Sequence, residues 1–94
     1  FYFELGTNLE IKNIDFEEKF GVLEAYDSGG FSWFFLFNEE GFFKLNSRPF
    51  EKSAYKIDSN GIYVIGNLFR ETTQMFFLPF SNKTRYDFNW KDFK

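Results

Sequence analysis

Seven consecutive residues, Phe31-Ser32-Trp33-Phe34-Phe35-Leu36-Phe37, constrain the fold of this chain more than any other feature. In a strand, successive side chains alternate between two faces, so Phe31, Trp33, Phe35 and Phe37 point one way and Phe34 and Leu36 the other. A strand apolar on both faces is either covered on both sides or leaves one side for a partner. The unbroken apolar run, Trp33–Phe37, falls well short of the roughly 18–20 residues of a membrane span.

The flanking sequence repeats the alternation between turn signals. Phe1–Leu5 and Leu9–Lys12 alternate about Gly6-Thr7-Asn8, which reads as a hairpin. Asp15-Phe16-Glu17-Glu18-Lys19-Phe20-Gly21 fits one helical turn, with Asp15 as a cap and Gly21 as a left-handed stop. Val22–Asp27 is the next strand and Ser28-Gly29-Gly30 a turn that glycine makes cheap. Asn38-Glu39-Glu40-Gly41 turns the central strand into Phe42–Ser47, and Arg48–Ala54, which holds Pro49, reads as a loop. Tyr55-Lys56-Ile57 pairs with Ile62–Ile65 across Asp58-Ser59-Asn60-Gly61, whose Asn-Gly predicts a type I′ hairpin. Gly66 predicts a bulge or close crossing, and Pro79 marks the end or the edge position of the strand Gln74–Phe80. Tyr86, Phe88 and Trp90 alternate with Arg85, Asp87 and Asn89 in a last half-buried strand.

About eight short strands with turns every 8–12 residues predict an all-β fold: a small antiparallel meander, barrel or sandwich with at most one short helical turn. At 94 residues the chain makes one domain, spanning 1–94. The stretch from Leu36 to Phe43, followed by Tyr55–Asp58 and Gly61–Val64, resembles the meander of lipocalin-like small barrels over less than half of the chain.

Composition narrows the chemistry. There is no His and no Cys, which removes Cys and His nucleophiles, the Ser-His-Asp triad, disulfides and any zinc site built from nitrogen or sulfur. Glu39-Glu40 is a carboxylate pair in a turn, where acids are ordinarily solvated, and a catalytic pair also needs a pocket and one raised pKa. Asp58-Ser59-Asn60-Gly61 lacks the later ligands of a calcium loop, and no glycine spacing builds a phosphate cradle. Asn82-Lys83-Thr84 is a three-residue glycosylation sequon. These observations predict a non-enzyme with neither cofactor nor metal.

Charge is divided along the chain. Residues 1–40 hold nine acids and two bases, residues 41–94 nine bases and five acids, and the net charge is −3. An acidic total disfavours nucleic acid and anionic membranes, which want a basic footprint. The division is compatible with an acidic face for a basic partner or with a head-to-tail homo-oligomer. Cysteine usage does not give the compartment, no leader is visible in Phe1–Phe3, and a cytoplasmic setting is slightly favoured.

The aromatic surplus is the remaining clue. Phe 17, Tyr 5 and Trp 2 outnumber the 17 aliphatic residues, and a domain this small buries only roughly 60–65% of the surface of its unfolded chain. The excess must be exposed, face a cavity or meet another chain. The expectation is a non-enzymatic protein-binding module, inhibitor- or immunity-like, that docks on a basic partner through Trp33, Phe34, Leu36 and Phe42, flanked by Glu39 and Glu40. The alternative is a lipocalin-like small barrel in which Phe35, Phe37, Phe43, Tyr63 and Phe77 line a cavity for an apolar small molecule.

Overall fold

A computed structural model describes residues 9–87. Among them the chain forms eight antiparallel strands and no helix: β1 (Glu10–Phe16), β2 (Gly21–Tyr26), β3 (Ser32–Asn38), β4 (Gly41–Lys44), β5 (Phe50–Asp58), β6 (Gly61–Leu68), β7 (Gln74–Pro79) and β8 (Thr84–Arg85). The sheet runs β1-β2-β3-β5-β6-β7, with β4 on β3 and β8 on β4. Two meanders, β1–β4 and β5–β7, thus meet at β3, and β1 and β7 are left as the ends of an open sheet. The small all-β domain read from the alternation is what the chain forms. Phe1–Leu5, Phe88 and Trp90 lie outside the described residues.

The sheet folds over on itself because its two halves share an inner core. Val22 from β2, Phe34 and Leu36 from β3, Phe43 from β4, Phe50 from β5, and Ile62 and Val64 from β6 form one buried cluster, with Tyr55, Phe76 and Leu78 packed against it. Rings interlock there edge to face: Phe34 with Phe50 (5.9 Å between centroids) and Tyr55 (5.3 Å), and Phe50 with Phe76 (5.2 Å). The opposite face of β2–β3 carries a second cluster, Leu9, Leu23, Ala25, Trp33 and Phe35. The central strand is therefore covered on both faces, the first of the two outcomes its sequence allows.

β3 changes neighbour along its length. Phe35–Asn38 pair with β4, whereas Ser32 pairs with Phe50 of β5. Buried Asn46 fills the gap where β4 and β5 diverge. Its Oδ1 accepts the Phe34 amide (2.8 Å), and its Nδ2 donates to the carbonyls of Ser32 (3.3 Å) and Arg48 (2.9 Å). One side chain thus satisfies backbone groups that a strand would otherwise serve.

Four local expectations need correction. Asp15–Gly21 forms no helical turn: β1 runs to Phe16, pairs it with Gly21, and the Glu17 amide closes the turn on the Phe20 carbonyl (2.8 Å). Gly21 is not left-handed; the Phe37 ring lies where its Cβ would be, so close approach selects glycine there. Arg48–Ala54 is not a loop, because Pro49 immediately precedes β5, where its missing amide costs no ladder bond. The Asp58–Gly61 hairpin forms in the expected register, yet Arg70 is the one described non-glycine residue with positive φ. Ser59 and Asn60 therefore do not make a type I′ turn, and the Asp58 carboxylate instead accepts the Asn60 amide (3.0 Å). Gly30, with φ of 82°, takes the left-handed turn its sequence predicts, and Gly66 lies where a Cβ would meet the Lys52 carbonyl.

Candidate functional site

The fold scatters the residues predicted to dock. Trp33 sits in the outer cluster, fully buried, with its indole Nε1 donating to Asp27 Oδ2 (2.9 Å). Phe34 and Leu36 lie in the inner core, on the other side of the same strand. Phe42 is half-buried against Phe35 and Phe37, the rings stacked 5.0 and 6.2 Å apart. Glu39 and Glu40 form the exposed β3–β4 turn, where Asn38 Oδ1 accepts the Glu40 amide (2.8 Å). Adjacent strand residues face opposite ways, so these six do not share one surface.

The proposed cavity residues also separate. Phe35 and Phe37 belong to the outer cluster, Phe43 to the inner core, and Tyr63 and Phe77 to the solvent face of β6 and β7.

That solvent face carries most of the exposed large apolar side chains among the described residues, the others being Ile14 and Phe16 of β1. Tyr63 pairs with Phe77 and Ile65 with Met75 across β6 and β7, and their exposures are 44, 41, 54 and 67%. The strands build this patch because both are apolar at both parities. Ile62 and Val64 point inward while Tyr63 and Ile65 point outward, and Phe76 and Leu78 point inward while Met75 and Phe77 point outward. The Tyr63 and Phe77 rings lie 4.8 Å apart at 43°, forming one tilted platform. A shallow groove of about 330 Å³ runs beside it, lined by Ala54, Tyr55, Lys56, Tyr63, Ile65 and Met75. On β5, Lys56 opposes Tyr63 and Ala54 opposes Ile65, so the charge bordering this face on that side is basic. Glu39 and Glu40, the expected acidic flanks, belong to the β3–β4 turn instead.

A second feature is polar. β1, β2 and β5 enclose a cleft of about 300 Å³ lined by Lys12, Asn13, Asp15, Glu24, Ser53, Ala54 and Tyr55. The Glu24 carboxylate is 1% exposed and accepts from Asn13 Nδ2 (3.1 Å) and Ser53 Oγ (3.1 Å), with the Lys12 ammonium 3.9 Å away. The Tyr55 hydroxyl donates to Asp15 Oδ2. Burial pushes the Tyr55 phenol above its ordinary range, and the bond to Asp15 adds to this. A hydrogen bond to Tyr26 holds the Lys12 ammonium above its usual value, with Glu24 contributing. Each carboxylate here accepts a hydrogen bond from another strand, so the cluster works as a clasp that holds the folded sheet together.

No group of three or more potential metal ligands occurs among the described residues, and none of their helices could cross a membrane, since they form none. Sequence reasoning found Tyr63 and Phe77 but gave them a cavity; it missed Ile65 and Met75. The available signal was the apolar content of both parities in Ile62–Ile65 and Met75–Leu78, the same signal that marked Phe31–Phe37. No family model, curated protein or solved structure matches this chain.

Proposed function

We propose that this domain is a non-catalytic protein-binding module whose contact surface is the outer face of the β6–β7 hairpin. The observation that carries this reading is the contiguous patch of Tyr63, Ile65, Met75 and Phe77, paired across β6 and β7. It holds four of the six exposed large apolar side chains among the described residues, Ile14 and Phe16 of β1 being the others. Scattered surface apolar residues are ordinary, but a contiguous group mixing aromatic, Met and aliphatic side chains has the character of an interface centre. Lys56 and Lys52 on β5 border it, which favours a partner surface with acidic or neutral groups at that rim.

The test is retention of a partner by the immobilised chain against an Ile65→Lys variant. Ile65 is exposed, so the variant should melt with the parent while losing the retained protein. An identical set of retained proteins on both would overturn the proposal.

A further inference from the structure

We infer that β7 is a pairing edge and that its occupant is a second copy of this chain, joined antiparallel about a two-fold axis through Phe76. The inference rests on the reading of the β6–β7 face as a contact surface and supplies its assembly.

The hydrogen-bond parity of the hairpin shows what the edge offers. The Phe80 amide donates to the Asn60 carbonyl (2.9 Å), and β6 and β7 pair with no register shift from Gly61 and Pro79 to Gly66 and Gln74. In an antiparallel ladder, bonded pairs alternate with unbonded ones. Gln74, Phe76 and Leu78 therefore turn their backbone groups toward β6, and Met75, Phe77 and Pro79 turn theirs away. Among the described residues β7 pairs with β6 alone, so the N–H and C=O groups of Met75 and Phe77 face an edge that no other described strand occupies. Gln74-Met75-Phe76-Phe77-Leu78-Pro79 contains no charge and no bulge, two of the devices that ordinarily protect such an edge.

The same parity selects the occupant and its register. A two-fold pairing centred on Phe76 sets Met75 against Phe77 of the second copy as a hydrogen-bonded pair, twice over. All four open donors of the two strands are then used, together with the four carbonyls of Met75 and Phe77. Centring on Phe77 instead sets Met75 against Pro79, which has no N–H to give. Slipping by one residue opposes outward to inward side chains. The Phe76-centred register also leaves Pro79 just beyond the ladder, as a stop. Two copies each carrying a net charge of −3 meet along a strand that carries none.

Area supports the same arrangement. A standard interface engages roughly 20–30 residues a side, far more than one four-residue patch. Edge pairing joins two patches into one continuous face of eight apolar side chains, Tyr63, Ile65, Met75 and Phe77 from each copy. The binding surface is then a property of the dimer, and a small, mostly main-chain junction of this kind should dissociate on dilution.

The experiment is light scattering after size exclusion over a dilution series, on the wild type, Met75→Pro and Met75→Lys. Met75→Pro removes an amide that faces the open edge and leaves the β6 ladder whole; Met75→Lys places a charge on the edge and serves if the proline variant does not fold. The wild type should pass from twice the chain mass to one chain mass on dilution, and the folded variants should stay at one chain mass throughout. A wild type at one chain mass at every concentration, or variants that keep the double mass, would overturn the pairing. Failure of the pairing is separable from failure of the contact surface. A monomeric wild type whose partner is still lost in Ile65→Lys refutes the dimer alone, whereas a dimer whose partner ignores Ile65→Lys refutes the contact surface alone.

Discussion

The rings of Tyr63 and Phe77 sit directly opposite on β6 and β7, 4.8 Å apart, and both remain more than two-fifths exposed. Ile62 and Val64, the inward neighbours of Tyr63, are fully buried, and Phe76 and Leu78, those of Phe77, pack partly buried against the same core. The hairpin therefore serves two apolar surfaces at once, a core within and a platform without. Losing the outer platform should cost little stability: Met75→Ser should shift stability by less than about 0.5 kcal/mol, as surface changes usually do. Denaturant unfolding with an unchanged slope checks this.

Trp33 should behave in the opposite way. It is fully buried, and its indole N–H is bound to Asp27, whose other oxygen accepts the amides of Gly29 (2.9 Å) and Phe31 (3.0 Å). Trp33→Ala should cost about 3–5 kcal/mol, a large part of the stability of any small domain. Thermal melting followed by circular dichroism reads this directly, and a melting temperature close to the parent's would return Trp33 to the surface.

Asn46 should resist replacement for a polar reason. Asn46→Ala removes the acceptor of the Phe34 amide and a donor to the carbonyls of Ser32 and Arg48, and should cost about 1–3 kcal/mol. Asn46→Asp keeps the acceptor but turns a charged oxygen on the carbonyls of Ser32 and Arg48. It should be the less stable of the two at neutral pH and recover as acidification restores a donor. Parallel melts at neutral and mildly acidic pH separate the pair.

Tyr55 sets an alkaline limit. Its phenol is held above the ordinary value of roughly 10 in the folded chain, so above that pH the unfolded chain gives up a proton that the folded chain keeps. The unfolded state then binds fewer protons, and stability falls as pH rises. This contribution is fully present below about pH 10 and fades above it. Tyr55→Phe should lower stability at neutral pH through the lost Asp15 bond and flatten the alkaline decline. Unfolding followed from neutral to strongly alkaline pH checks both effects.

How much of this was legible in the sequence depended on whether the signal was local. The Asp58–Gly61 hairpin, the left-handed Gly30 and the crossing at Gly66 follow from turn chemistry carried by the residues themselves. Phe16 and Phe20 misled because a four-residue spacing suits both a helical face and the two ends of a tight turn. Only the pairing of Phe16 with Gly21 decides between them. Pro49 misled because its place just before a strand is as compatible with proline as a loop is. Most consequentially, Phe31–Phe37 and Ile62–Ile65 present similar apolar patterns. Which one is covered on both sides depends on their places in the sheet, and no short stretch of sequence states that.

The contact surface is tested most directly by photo-cross-linking. A photoreactive aromatic residue is placed in turn at position 65, on the outer face of β6, and at position 39, in the β3–β4 turn. The account predicts adducts from position 65, either with a second copy or with a distinct protein, and a bare background from position 39. Adducts from position 39 with none from position 65 would contradict it and move the contact to the acidic turn.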